Sequence, residues 1–176
     1  METFFNSWNV IRASGLTAYL LLFFSLFFGF THRLFKVKYT LLFHQIAGWF
    51  SFLFALLHGI LLTIDPYVSY SFTEVFIPFT ASYKPFLSGI GTISLFLLFF
   101  LLVSSDMMKW LGRKTWRIIH YLSTPAFFIA AIHGVFLGTD TQEIPIIILY
   151  SSTFTIIVLL FVFYRLMHQA VKSKKR

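Results

Sequence analysis

Five long apolar stretches run along the chain, at about 13–30, 41–64, 86–105, 118–137 and 144–164, separated by short polar junctions. Each is near the ~20 residues a helix needs to cross a ~30 Å hydrocarbon layer. Helices satisfy their own backbone polar groups, which lipid cannot do. No series of short alternating segments is present, which argues against a barrel. The pattern predicts an all-α integral membrane protein: a bundle of five transmembrane helices in the cell membrane, with the lipid bilayer as its first partner. The longest outside junction, about 65–85, holds Pro66, Pro78 and Pro85 with Tyr67, Tyr70 and Tyr83. It reads as an ordered loop or interfacial segment, so residues 1–176 form a single domain.

Composition narrows the classes further. Hydrophobic residues make up 58% of the chain and charged ones 11%, where soluble globular domains carry about a quarter charged. A soluble core of this length cannot hide so much apolar surface, and a disordered chain would be far more polar. The absence of cysteine excludes disulfides, thiolate metal sites and cysteine-bound iron–sulfur clusters.

The net charge of +8 would suggest nucleic acid if the charges shared a soluble face. They do not. Arg33, Lys36 and Lys38 follow the first span, and Lys109, Arg113, Lys114 and Arg117 follow the third. Arg165, Lys172, Lys174, Lys175 and Arg176 follow the fifth; only Arg12 and Lys84 fall outside these groups. The acids Glu2, Asp65, Glu74, Asp140 and Glu143 gather at the opposite ends, with Asp106 alone in a basic junction. The positive-inside rule then predicts an outside N-terminus and a cytoplasmic C-terminus. The charge is topology, and no nucleic-acid partner is expected. Lys172–Arg176 reads as a tail attracted to anionic lipid, or as a dock for an acidic partner. The first span lacks a basic leader and a small-residue cleavage site, so it reads as retained.

Four of the six histidines, His44, His58, His120 and His133, lie in spans two and four. Ionisable side chains inside membranes are functional candidates by default. His44 and His58 are 14 residues apart, about 40° short of four whole turns, so both leave one helix face roughly 21 Å apart along the axis. His120 and His133 are 13 apart, or about 19.5 Å. Spans two and four run in the same direction, which sets His44 level with His120 towards the cytoplasm and His58 level with His133 towards the outside. Two facing histidines at each of two levels suit two bis-histidine haems built for electron transfer. They do not suit one zinc site, which gathers its ligands at a point. Copper or a proton relay stays open, although neither requires the pairing.

Gly48, Ser51 and Ala55 share the His44/His58 face, where small residues leave room for a macrocycle or for close backbone approach. The segments Ala55-Leu-Leu-His58-Gly59 and Ala130-Ala-Ile-His133-Gly134 echo one another. On a straight helix the 13-residue spacing ends about 140° out of phase. A bend or overwinding is therefore expected in span four, with Pro125 as its cause. His32 and His168 read as interfacial, as do Trp110 and Trp116. Trp49 lies deeper in span two, where it would pack in the core or on a haem.

On His44-x13-His58, His120-x12-His133, Trp116-Arg117-x2-His120 and the opening Arg12-Ala-Ser-Gly15, the sequence resembles the ferric reductase-like transmembrane domain family. That group includes ferric-chelate reductases, the membrane half of NADPH oxidases and the haem subunit of the periplasmic methionine sulfoxide reductase system. The resemblance implies two stacked b-type haems, one held by His44 and His120 and the other by His58 and His133. It implies transmembrane electron transfer from a cytoplasmic or quinol donor to an extracytoplasmic acceptor. Family members often have six spans, so the haem-bearing helices here would match the family's third and fifth. Larger members carry a flavin and nicotinamide domain, but no Gly-rich dinucleotide fingerprint is present here. The expected donor is therefore a separate flavoprotein reductase or a quinol, with an extracytoplasmic redox partner as one acceptor. The chain would be an oxidoreductase membrane component with no flavin or nicotinamide site of its own. The rival reading is a haem-free membrane scaffold or transporter subunit whose histidines bond between helices.

Overall fold

A computed structural model describes residues 7–66 and 69–173. It is helical, with α1 (Ser7–Phe35), α2 (Lys38–Ile64), α3 (Phe72–Phe76), α4 (Pro85–Asp106), α5 (Met108–Leu111), α6 (Arg113–His120), α7 (Ser123–Leu137) and α8 (Ile144–Ser173). Among the described residues, five helical runs are long and apolar enough to cross a membrane: α1, α2, α4, Arg113–Leu137 and Ile144–Ala170. Each contains one of the five apolar stretches and extends past it, because a helix continues through the interface as long as its backbone bonds can form. Large apolar side chains such as Phe24, Leu53, Phe100 and Leu159 face outwards, as expected when the surroundings are hydrocarbon. The protein is a multi-pass integral membrane protein. Tyr67, Lys174, Lys175, Arg176 and Glu2 lie outside the described residues.

α1 is the central helix. Tyr19, Leu22, Phe23, Leu26 and Phe30 bury one stripe against Leu98 of α4, Phe127 and Ala131 of α7 and Ile157 of α8. Their spacing of three and four residues is the period of a single helix face. α1 and α2 form an antiparallel hairpin linked by two residues, Lys36 and Val37. Lys36 takes a left-handed conformation at φ 54°, and its amide bonds His32 O at 2.9 Å to close the last turn of α1.

Hydroxyls tie the spans where lipid offers no partner. Ser51 donates to Ala18 O at 2.8 Å, Ser94 to Ala126 O at 3.2 Å, and Tyr19 bonds Thr153 at 2.7 Å. Of the two roles expected for the small residues on the histidine face, Ser51 and Gly48 take the close backbone approach, bringing α2 against α1: Ser51 is fully buried, and a Cβ on Gly48 would stand 3.3 Å from Ser25 Oγ.

The segment between α2 and α4 is ordered where described. Glu74 anchors it: Ser71 donates to one carboxylate oxygen through amide and hydroxyl, both at 2.9 Å. Ser82 donates to the other at 2.8 and 2.7 Å. Val75 packs where Gly59 lacks a Cβ, and Thr92 donates to Val75 O at 2.7 Å. α3 thereby lies over one end of α2 and α4. Lys84, also left-handed at φ 42°, precedes Pro85 at the start of α4 and donates to Phe136 O at the end of α7, 3.3 Å away. One of the two cations outside the basic groups is thus a helix cap.

The fourth span is broken where an irregularity was expected. α6 ends at His120, Tyr121 and Leu122 form a turn, and α7 begins at Ser123. Pro125 has no N–H for the Tyr121 carbonyl four residues back, and its ring crowds that oxygen. Leu122 N instead bonds Ile119 O at 2.9 Å, a three-residue step. A 3₁₀ residue turns about 120° where an α residue turns about 100°, which recovers part of the 140° deficit between His120 and His133.

Candidate functional site: two histidine pairs between α2, α6 and α7

The four span histidines meet in two pairs. His44 of α2 and His120 of α6 bring their ring centroids to 5.7 Å, with planes at 77°. His58 of α2 and His133 of α7 stand 6.4 Å apart at 82°. The pairs lie at opposite ends of α2, as the helix arithmetic required. Among the described residues, no three His, Asp or Glu side chains converge as they would to hold a bare metal ion.

Three of the rings share one mounting. His44 Nδ1 donates to Ser25 O at 2.8 Å, His58 Nδ1 to Ile11 O at 2.9 Å, and His133 Nδ1 to Leu87 O at 2.8 Å. A carbonyl only accepts, so Nδ1 carries the proton and Nε2 keeps its lone pair. In each case the residue four positions past the acceptor, one turn on along the same helix, is a glycine. A Cβ on Gly29 would stand 3.1 Å from the His44 ring, one on Gly15 3.0 Å from His58, and one on Gly91 2.5 Å from His133. The acceptor carbonyl points along its helix towards residue i+4, so an imidazole can reach it only if that residue has no side chain. This i, i+4 glycine signal is visible in the sequence at 11/15, 25/29 and 87/91, but it means nothing until the facing histidine is known.

His120 is mounted differently. Its Nδ1 is buried without a hydrogen-bond partner. Its ring stacks on Trp116, one turn earlier in α6, at 5.0 Å and 28°. The Trp116 indole N–H donates to Ser105 Oγ at 3.2 Å. Trp116, read from sequence as interfacial, is therefore part of the pair's setting, while Trp110 is largely exposed. Beside His44 and His120 lies a cavity of about 380 Å³, lined on its polar side by Gln45, Ser105 and Asp106 and bordered by Trp49 and Leu102.

At the His58–His133 end, Arg12 forms an ion pair with Asp140, and its Nε stays buried without a partner. The second cation outside the basic groups is thus matched to an acid. The glycines after the two histidines repeat a role: Gly59 admits Val75 of α3, and Gly134 admits the Tyr150 ring of α8. The two other histidines join neither pair. His32 Nδ1 donates to Val37 O at 3.1 Å, and His168 lies near Tyr164.

The profile of the family described as ferric reductase like transmembrane component matches residues 14–131. The chain belongs to the ferric reductase-like transmembrane component family. The match spans Gly15, Gly29, His44, His58, Gly91, Trp116 and His120, and it ends two residues before His133. No curated protein matches the chain, and no solved structure does. Membership of this ferric reductase-like family, with five candidate spans, agrees with a role in electron transfer across the membrane.

Proposed function

We propose that the chain carries electrons through two b-type haems, one between His44 and His120 and one between His58 and His133. The observation that carries this reading is the opposition of two histidine pairs at two levels. Two imidazoles on one iron have metal–nitrogen bonds of about 2 Å, and roughly 1 Å more to each ring centre puts the centroids about 6 Å apart. The observed 5.7 and 6.4 Å agree with that spacing. A site with two protein ligands suits a metal that brings its own equatorial ligands. His44 with His120, and His58 with His133, would hold haem iron, which would supply one-electron transfer there. Around it, this chain's residues fix the tautomer of three rings and set the two centres within one helix bundle.

The N-terminus lies outside and the C-terminus in the cytoplasm, so His44 and His120 form the inner pair. Electrons enter there from a flavoprotein reductase or a quinol, and leave by the outer pair to a ferric chelate, oxygen or an extracytoplasmic redox protein. The exposed cations Arg33, Lys36, Lys109, Arg113, Lys114 and Arg117 surround the inner end and would steer an acidic donor.

The test is haem content. Protein purified after haem-replete expression should hold two low-spin haems per chain. His44→Ala and His120→Ala should each remove the same haem, and His58→Ala and His133→Ala the other. If all four variants keep wild-type haem content and spectra, the histidines serve only as interhelical hydrogen bonds.

A further inference from the structure

The unequal mounting of the inner pair has a consequence that rests on the haem reading above. His44 is latched on α1 by the Ser25 carbonyl, with Ser25 Oγ a further 3.1 Å neighbour. His120 has no such latch. It closes an eight-residue helix bounded by Gly112, at φ 78°, and by the Tyr121–Leu122 turn. It is one turn from Trp116, and that indole is moored to α4 through Ser105, whose own hydroxyl donates to Leu101 O at 2.8 Å.

We propose that Trp116, moored to Ser105, is the positioning residue for His120 and replaces the carbonyl latch used by the other three histidines. A stack fixes the plane of a ring but leaves it free to slide and turn within that plane. A carbonyl fixes the tautomer and direction as well, and raises the basicity of the ligating nitrogen. The inner centre therefore has one firmly held imidazole and one held by its face alone. His120 is the ligand that yields first, and the inner haem is the more easily lost of the two.

The experiment compares Trp116→Leu, Trp116→Phe, Ser105→Ala and His120→Ala in the full-length, haem-loaded protein. Haem capture by excess apomyoglobin gives the loss rate of each haem, and carbon monoxide added to the reduced protein reports any iron that has lost an imidazole. Trp116→Leu should speed loss of one haem by about 10–100-fold, the range for removing an outer-shell partner. That same haem should bind carbon monoxide, while the other keeps its low-spin spectrum and serves as the control for folding. Ser105→Ala and Trp116→Phe keep the stack but lose the mooring, so both should fall between wild type and Trp116→Leu. If Trp116→Leu does not accumulate, these two decide. The affected haem must be the one that His120→Ala removes. Wild-type capture rates and no carbon monoxide binding in the Trp116 and Ser105 variants would overturn the proposal, as would equal weakening of both haems. If His120→Ala itself keeps both haems, the ligand assignment fails instead.

Discussion

Replacing Gly91 with alanine probes the mounting of the outer pair through a single methyl group. The new Cβ would lie 2.5 Å from both Nδ1 and Cε1 of His133 and 3.0 Å from Cγ. Non-bonded carbons rest at about 3.5–4.0 Å, so the ring must retreat by roughly 1 Å. The bond from Nδ1 to Leu87 O, now 2.8 Å, does not survive that retreat, since such bonds fade beyond about 3.2 Å. Overpacking costs about 1–3 kcal/mol, and a buried donor left unsatisfied about 1–3 kcal/mol. Taking about 2–4 kcal/mol together, the affinity for the outer haem should fall by roughly one and a half to three orders of magnitude at 1.4 kcal/mol per factor of ten. The helix itself should gain, because alanine is favoured over glycine in a helix interior by about 0.8–1.0 kcal/mol. Helical content by circular dichroism should therefore hold while haem is lost. Gly15→Ala and Gly29→Ala, with closest approaches of 3.0 and 3.1 Å, require only a few tenths of an ångström of movement and should cost about tenfold or less. Gly15→Ala should act on the outer haem and Gly29→Ala on the inner. Haem content and capture rates check the series. Wild-type haem retention in Gly91→Ala, or loss of the inner haem in its place, would refute the reasoning.

Pro125→Ala would restore the missing amide opposite Tyr121 O; straightening span four should then swing His120 away from His44 and weaken the inner haem alone, seen as loss of one low-spin signal. Orientation can be read with introduced cysteines, since the chain has none: Gln142→Cys should react with an impermeant thiol reagent on intact cells and Lys114→Cys only after lysis, and the reverse pattern would invert the topology. Hydrogen bonds from the Ser71 amide, then the Ser82 hydroxyl and amide and the Ser71 hydroxyl, hold the Glu74 carboxyl down to about 2 from an ordinary 4.5. Because the folded value is the lower one, the carboxylate's contribution to loop order is complete above pH 4.5 and is lost as pH falls towards 2. Hydrogen exchange at the Ser71 and Ser82 amides should stay protected at pH 4, and Glu74→Gln should release it at neutral pH. NADPH alone should not reduce the purified haems, whereas an added flavoprotein or a quinol should. Neutralising Arg113, Lys114 and Arg117 should slow reduction by a docking flavoprotein more at low salt than at high salt, and quinol reduction should change less.

The fold and the site differ in how much of each is written in the sequence. The five spans follow from local hydropathy, because lipid tests each segment by its own length and polarity and needs no neighbour to do so; their ends do not, since the helices run on past the apolar stretches into the interface. The two levels of histidines follow from helix rise and rotation along α2. The misfit of the 13-residue spacing implies a break in span four, and Pro125, which has no amide for the Tyr121 carbonyl, accounts for its position. The glycine mountings were out of reach. Gly15, Gly29 and Gly91 sit in helices whose relative rotation decides which carbonyl a ring meets, and that rotation is set by the packing of α1 and α4 against α2 and α7. The same is true of Ser51, whose place on the histidine face of α2 fitted either room for a macrocycle or close backbone approach, and the packing of α1 decided for the second with a hydrogen bond to Ala18 O. Trp116 shows the limit most directly. Its position beside a basic junction matched an interfacial aromatic; the four-residue step to His120 lets the two rings meet on one face of α6, but only the packing of α6 against α4 brought the indole N–H onto Ser105. Periodicity and hydropathy act along one chain segment and so are written in the sequence. The mounting of a ligand joins two or three helices at ångström precision, and it exists only once those helices have packed.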